Sequence, residues 1–275
     1  MNCPRISASS YSNTAPLVWS FLYGQNHGRV EIILDNAPAR SAELLSQDRV
    51  DAALVPVIAC QMIDGVRLIP DVCVGARERV RSVCLVTKGA DLANVRSVSL
   101  DTSSKTSTVM TKIIFREFLG FEPEWKDAKP DLDAMLAASD AALLIGDPAL
   151  SIAECGMRIA DLDPKSKIQN LKSFDLAELW HLHTGLGFVF AMWMTRKGKC
   201  DIDFAAARDE GLSHADDIAA NYASEIGLSR DDMKTYLTES ISYSIDDSMR
   251  RGMELFFELS AKNGLIDVNR PLVFV

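Results

Sequence analysis

The chain has 275 residues, of which 48% are hydrophobic and 24% charged, and carries a formal net charge of -9. This excludes general disorder and leaves room for one large domain or two smaller ones. Lys and Arg are scattered, so the basic face that a nucleic-acid partner needs is missing. Any anion has to be held locally, by helix ends and a few placed donors.

The start, Met1-Asn-Cys-Pro-Arg-Ile-Ser7, lacks the basic head and apolar core of a signal peptide, and Cys3 lies too early for a lipoprotein cleavage site. No apolar stretch has the length of a membrane span. The six cysteines, Cys3, Cys60, Cys73, Cys84, Cys155 and Cys200, form no CxxC pair and no metal-finger spacing. They read as reduced thiols, and the chain reads as a cytoplasmic protein with no membrane partner.

Along the chain, Arg5 to Ser9 predicts a short strand. Asn13 to Tyr23 predicts a helix entered through Thr14 and Pro16, since Pro is tolerated in a first turn. Val30 to Leu34 follows as a strand, Ala37 to Leu45 as a helix and Asp51 to Val57 as a buried strand. Such alternation implies a mostly parallel sheet flanked by helices, with ligands beyond the carboxyl ends of the strands.

A second alternation begins after Lys88-Gly89. Its strand, Val95 to Leu100, runs into Asp101-Thr-Ser-Ser-Lys-Thr-Ser107, and Val109 to Leu119 has helical apolar spacing. Hydroxyls therefore collect at a helix N-terminus, where unpaired N–H groups and the dipole favour an anion, and Lys105 adds a cation. Neither GxxxxGK[ST] nor GxGxxG is present, so a small carboxylate suits the site better than a nucleotide. The competing reading is a simple cap by Ser103 or Ser104; five hydroxyls in seven residues exceed what a cap needs.

An acidic loop is expected from Glu122 to Asp133, then a strand, Ala141 to Ile145, ending in the turn Gly146-Asp-Pro148. Asp147 there is either a helix cap or a cleft carboxylate. His181-x-His183 lacks a third ligand and is not read as a metal site, though His183 is a candidate to line the cleft. After the apolar strand ending at Trp193, Phe204 to Leu265 is helical by pattern, with Ser229 and Asp246 as N-caps and Asn263-Gly264 as a C-cap.

The chain thus leaves one lobe near Lys88 and returns near Ala191. Residues 1–88 with 191–275 form the first lobe, carrying the C-terminal helices, and 89–190 form the second, with a ligand cleft between them. This is an α/β, two-lobed arrangement of the periplasmic-binding-protein-like type II order.

Four blocks in this order resemble the chorismate dehydratases of the futalosine route to menaquinone. They are Ser10-Tyr-Ser-Asn-Thr-Ala-Pro-Leu17, Val80-Arg-Ser-Val-Cys-Leu85, Asp101 to Ser107, and Leu144-Ile-Gly-Asp147. A fifth, Trp180 through Ala191, matches in place and character. It has Gly187 where the family usually has Pro, a change expected to loosen the turn. The resemblance runs from Ile6 to Ile266.

It implies a cofactor-free enzyme that eliminates water from chorismate to give 3-[(1-carboxyvinyl)oxy]benzoate. It singles out Asn13 and Ser82 as catalytic groups that orient substrate and hydrogen-bond developing charge; Ser82 would otherwise pass as an ordinary strand residue. Ser12 and Thr14 in one lobe, and Ser103, Ser104, Lys105, Thr106, Ser107, Gly146, Asp147 and His183 in the other, are the expected substrate contacts. The proton acceptor is either the enolpyruvyl carboxylate of the substrate or Asp147. Two alternatives stand beside this reading: 1,4-dihydroxy-6-naphthoate synthase on the same fold, and a non-catalytic small-carboxylate binder. A homodimer is the ordinary expectation at this size, with no residue pattern that carries it.

Overall fold

A computed structural model describes residues 3–155, 171–198 and 200–275, without the side chains of 153–155. The thiol of Cys155 lies outside the described residues, and the other five cysteines are free. Burial pushes the Cys60 and Cys84 thiols up to about 12, which leaves them unreactive packing groups.

Four strands come first: β1 (Arg5–Ser9), β2 (Glu31–Asp35), β3 (Ala52–Pro56) and β4 (Arg67–Ala76). The chain then lays down β5 (Val83–Thr87), β6 (Ser97–Asp101), β7 (Glu124–Ala128), β8 (Ala141–Ile145) and β9 (Lys172–Asp175), and returns as β10 (Phe188–Thr195). Two five-stranded sheets result, ordered β2-β1-β3-β10-β4 and β7-β6-β8-β5-β9. In each, three strands run parallel as expected from the βαβ pattern. The strand that follows each crossing, β5 or β10, is antiparallel to both its neighbours, so the sheets are mixed.

The crossing expected at Lys88 lies earlier. Strand β5 pairs with β8 in the second sheet, so the chain changes lobe between Ala76 and Val83 and returns between Thr184 and Phe188. Val83–Thr87 is buried throughout, and its apolar run is the same in kind as those of the first sheet. Only the long-range partner assigns it. We therefore propose lobes divided near residue 80 and residue 187. Strand β7 likewise lies inside the stretch expected to be an acidic loop, as a part-exposed edge strand.

The helices are α1 (Ala15–Leu22), α2 (Pro38–Ser46), α3 (Ala59–Met62), α4 (Lys105–Ile113), α5 (Leu132–Ala138), α6 (Gly146–Cys155), α7 (Leu176–Thr184), α8 (Phe204–Ser213), α9 (Ala215–Ile226), α10 (Arg230–Thr235) and α11 (Asp247–Lys262). Helix α4 continues as a π turn over Ile114–Leu119, and α10 as another over Tyr236–Ser240. Ser229 and Asp246 cap α10 and α11 as expected, accepting from Asp232 N at 3.1 Å and Met249 N at 2.9 Å. Helix α8 packs on α1, and α11 packs on β10, so the C-terminal helices cover the first lobe.

The return crossing is tightly packed. A Cβ at Gly252 would lie 1.9 Å from the Gly187 carbonyl oxygen, and one at Gly187 would lie 2.7 Å from Met249 Cγ. The Gly187 N–H donates to Ser248 Oγ at 2.9 Å. The Gly187 turn is thus fixed by helix α11 rather than loosened.

Candidate active site

The carboxyl ends of β1, β3, β6 and β8 meet across the cleft, as the strand order of an open α/β sheet dictates. Between them lies a cavity of about 60 Å³, with apolar walls that include Leu54, Val83, Ile145 and Phe190. That volume holds roughly two waters.

On the first lobe, β1 leads into a buried single turn, Ser12–Thr14, ahead of α1. Asn13 lines the cavity. Thr14 lines it too, and the hydroxyls of both neighbours, Ser12 and Thr14, are engaged. Thr14 Oγ1 lies 2.6 Å from the Ser9 carbonyl and 2.8 Å from that of Tyr11, which tightens the turn. Ser12 reaches across the cleft: its hydroxyl donates to Asp147 Oδ1 at 2.5 Å, and its N–H lies 3.1 Å from both carboxylate oxygens. Asp147 is therefore neither a plain cap of its own helix nor an open cleft carboxylate. It latches one lobe to the other. Burial holds its pKa above the ordinary carboxylate value, and the Ser12 bonds act against that rise.

On the second lobe, Asp101 closes β6 with a turn in which Oδ1 accepts from Ser103 N at 2.8 Å and Ser103 Oγ at 2.7 Å. Its Oδ2 is buried without a partner, and burial raises its pKa. Ser104 is the N-cap of α4, yet its side chain makes no capping bond. Ser104 and Ser107 are buried residues lining the cavity, and neither hydroxyl has a partner among the described residues. The simple cap reading therefore fails for Ser104, and Ser103 serves Asp101. Thr106 also lines the cavity and accepts from Ile58 N of the first lobe at 3.3 Å.

Gly146, at φ 67, continues this wall; a Cβ there would lie 2.7 Å from the Tyr11 ring. The Tyr11 phenol is pushed up to about 12, by burial first and then by Asp101. Sequence reasoning passed over Tyr11 although it sits inside the Ser10–Leu17 block.

Of the expected residues, Asn13, Thr14, Ser104, Thr106, Ser107 and Gly146 border the cavity, while Ser12, Ser82, Ser103, Lys105, Asp147 and His183 do not. Lys105 is exposed and does not line the cavity. His183 is exposed on the last turn of α7 and stacks on Phe118 with ring centroids 4.6 Å apart. Its companion His181 faces the Leu186 carbonyl at 3.3 Å. On a helix, residues two apart point in different directions, so the pair does not converge.

Ser82 sits where β5 begins, fully buried, with its hydroxyl 3.5 Å from the Val80 carbonyl. Gly146 N–H donates to the Ser82 carbonyl at 2.8 Å, tying the two second-lobe blocks together. The preceding residue, Arg81, has a φ of 63, a strained value for a side chain with a Cβ. Buried Asp175 holds it there, accepting from Val80 N at 3.0 Å and Arg81 N at 2.6 Å on one oxygen. Its other oxygen accepts from Ala177 N and Glu178 N at the start of α7. Nothing in the sequence near Arg81 signals that partner, which lies 94 residues away.

Residues 4–262 match the menaquinone-biosynthesis family. The chain belongs to that family. A chorismate dehydratase of Thermus thermophilus is 30% identical over 257 residues, covering 90% of this chain and 92% of that protein. Among solved structures, a Candida albicans protein described as having the generic periplasmic binding protein fold superposes with a TM-score of 0.66 at 12% identity, over 95% of this chain and 91% of the other. The periplasmic aliphatic sulphonate binding protein SsuA of Escherichia coli gives a TM-score of 0.63 at 15% identity, over 99% and 93%. These two share the fold with this menaquinone-biosynthesis protein, which has the two-lobed α/β architecture of periplasmic binding proteins. No helix among the described residues is long and apolar enough to cross a membrane.

Proposed function

We propose that this chain is a hydro-lyase that dehydrates chorismate to 3-[(1-carboxyvinyl)oxy]benzoate. The observation that carries the reading is the likeness to the Thermus dehydratase along nearly the whole chain. The cleft supports it, with hydroxyls lacking a protein partner at a helix N-terminus on one side and the neutral amide of Asn13 on the other.

Chorismate carries two carboxylates. The start of α4, with Ser104, Ser107 and the first-turn N–H groups, suits one of them. Asn13 and Ser82 suit the enolpyruvyl arm, which they orient, and the charge that develops on the departing hydroxyl. The apolar walls take the ring. In the reaction a ring C–H bond breaks, its electron pair completes the aromatic ring, and the C–O bond to the neighbouring hydroxyl breaks. The proton taken from the ring passes from its acceptor to the departing hydroxyl, which leaves as water. Aromaticity drives the step, so the protein has to place the base and aid the leaving group, without an electron sink.

The enolpyruvyl carboxylate takes the ring proton. Asp147 is the weaker candidate, because Ser12 approaches both its oxygens. Chorismate is several times larger than a cavity of about 60 Å³. The lobes therefore open to admit it and close around it, and each opening breaks the Ser12–Asp147 contact.

The test is to incubate purified protein with chorismate and separate the products by chromatography with mass detection. A product one water lighter, absorbing as a substituted benzoate, is the expected result. Unchanged chorismate would overturn the reading. If that chorismate nonetheless protects the protein against heat, the protein is a binder.

A further inference from the structure

Buried side-chain polar atoms without a hydrogen-bond partner occur in Trp180, Trp193, Tyr236 and Tyr243, so an orphan atom alone does not mark a site. Tyr236 differs from the other three in its neighbours. It is fully buried, and its hydroxyl lies beside the side chains of Ser82 and Asn13, out of full hydrogen-bond geometry with either; Asn13 borders the cavity, and Ser82 is buried next to Val83 of its wall. The Arg81 guanidinium, next to Ser82 in the chain, stands 5.7 Å from the Tyr236 ring centroid. Tyr236 also opens the π turn that follows α10, closed by Ile241 N on the Tyr236 carbonyl at 3.2 Å. Such π turns are rare and frequent at functional sites, although the other one here, Ile114–Leu119, does not border the cavity.

Asn13 has two unlike ends, a carbonyl acceptor and an NH₂ donor, and nothing on its own turn chooses between them. Ser82 has a rotatable hydroxyl held only by a 3.5 Å approach to Val80. A phenol facing both supplies the choice. If Ser82 donates to the phenol oxygen, the phenol proton is free to meet the Asn13 carbonyl, and the Asn13 NH₂ then faces the cleft. Burial keeps this phenol protonated throughout the working pH range.

We propose that Tyr236 is a positioning residue for the proposed dehydration, its hydroxyl setting the Ser82 rotor and turning the donor end of Asn13 toward the substrate. The role rests on the dehydratase reading.

Tyr236→Phe removes one hydroxyl that has no full hydrogen bond in the closed structure, so the fold is retained. With chorismate as substrate, kcat is expected to fall about tenfold while KM stays within about twofold. Tyr243→Phe, which deletes the other orphan phenol, leaves both unchanged. On an Asn13→Ala background, Tyr236→Phe lowers kcat no further, because the group it positions is gone.

Wild-type turnover is measured first. Its absence removes the dehydratase reading and this role with it; normal wild-type turnover with a Tyr236→Phe kcat within twofold removes this role alone. An equal loss in Tyr243→Phe, or additive losses with Asn13→Ala, also overturns it. Should Tyr236→Phe fail to accumulate, protein labelled with [ζ-¹³C]tyrosine serves instead. The Tyr236 resonance is expected to move in Ser82→Ala, and an unmoved resonance overturns the proposal.

Discussion

The cleft is bordered by two hydroxyl-rich helix starts that look alike in sequence and behave differently in the structure. At Ser12–Thr14 the hydroxyls are already engaged, Ser12 on Asp147 of the opposite lobe and Thr14 on its own turn. At Ser103–Ser107 one hydroxyl serves Asp101, while those of Ser104 and Ser107 reach the cavity without a partner. The first start closes the lobes and presents one amide, Asn13. The second presents donors. A serine at a helix start is thus available to a ligand only when the turn before it is satisfied by something else, here the carboxylate of Asp101.

The largest effect should come from the amide. Asn13→Ala is expected to lower kcat about a hundredfold or more, in line with the loss of a donor to developing charge; a loss below tenfold would move the chemistry away from this turn. Ser104→Ala and Ser107→Ala should each raise the chorismate KM about tenfold with little change in kcat, since a carboxylate anchor acts in ground and transition state alike. A kcat loss with constant KM would reverse the assignment of the two helix starts.

Asp147→Asn tests latch against base in one variant. A latch role predicts a KM raised several-fold, near-normal kcat and a larger radius of gyration by small-angle scattering. Loss of kcat by more than about a hundredfold would make Asp147 the base.

A smaller effect concerns Asp101, whose pKa is raised by burial. A raised carboxyl binds its proton more tightly folded than unfolded, so its stabilising contribution is present in acid and is lost as pH rises through the folded value. Asp101→Asn should therefore gain thermal stability relative to wild type as pH goes from about 4 to about 7. A difference that shrinks over that range would mean that Oδ2 is paired in solution. Lys105→Ala and His183→Ala should leave turnover within about twofold, since neither residue borders the cavity.

Much of this molecule was readable along the chain. The strand ending at Ser9, the strand Ala141–Ile145 and the caps Ser229 and Asp246 follow from local patterning and short-range donors, and the structure places them as expected. The helix read from Val109 to Leu119 is there too, though its second half is wound as a π turn, which no apolar spacing announces. Strand β7 escaped because its edge position leaves charged residues facing solvent, so Glu124–Ala128 carries no apolar run.

By itself the sequence determined the two α/β alternations, the family and the blocks that contribute walls to the candidate site, because each depends on residues close together in the chain. It left open which hydroxyls are available, which sheet owns Val83–Thr87, and what holds Arg81 in a left-handed turn. Those were decided by Asp147 meeting Ser12 across 135 residues, by β5 pairing with β8, and by Asp175 accepting from Arg81. The reason is physical. A donor's availability depends on whether an acceptor lies within about 3 Å, and across a cleft the tertiary fold sets that distance.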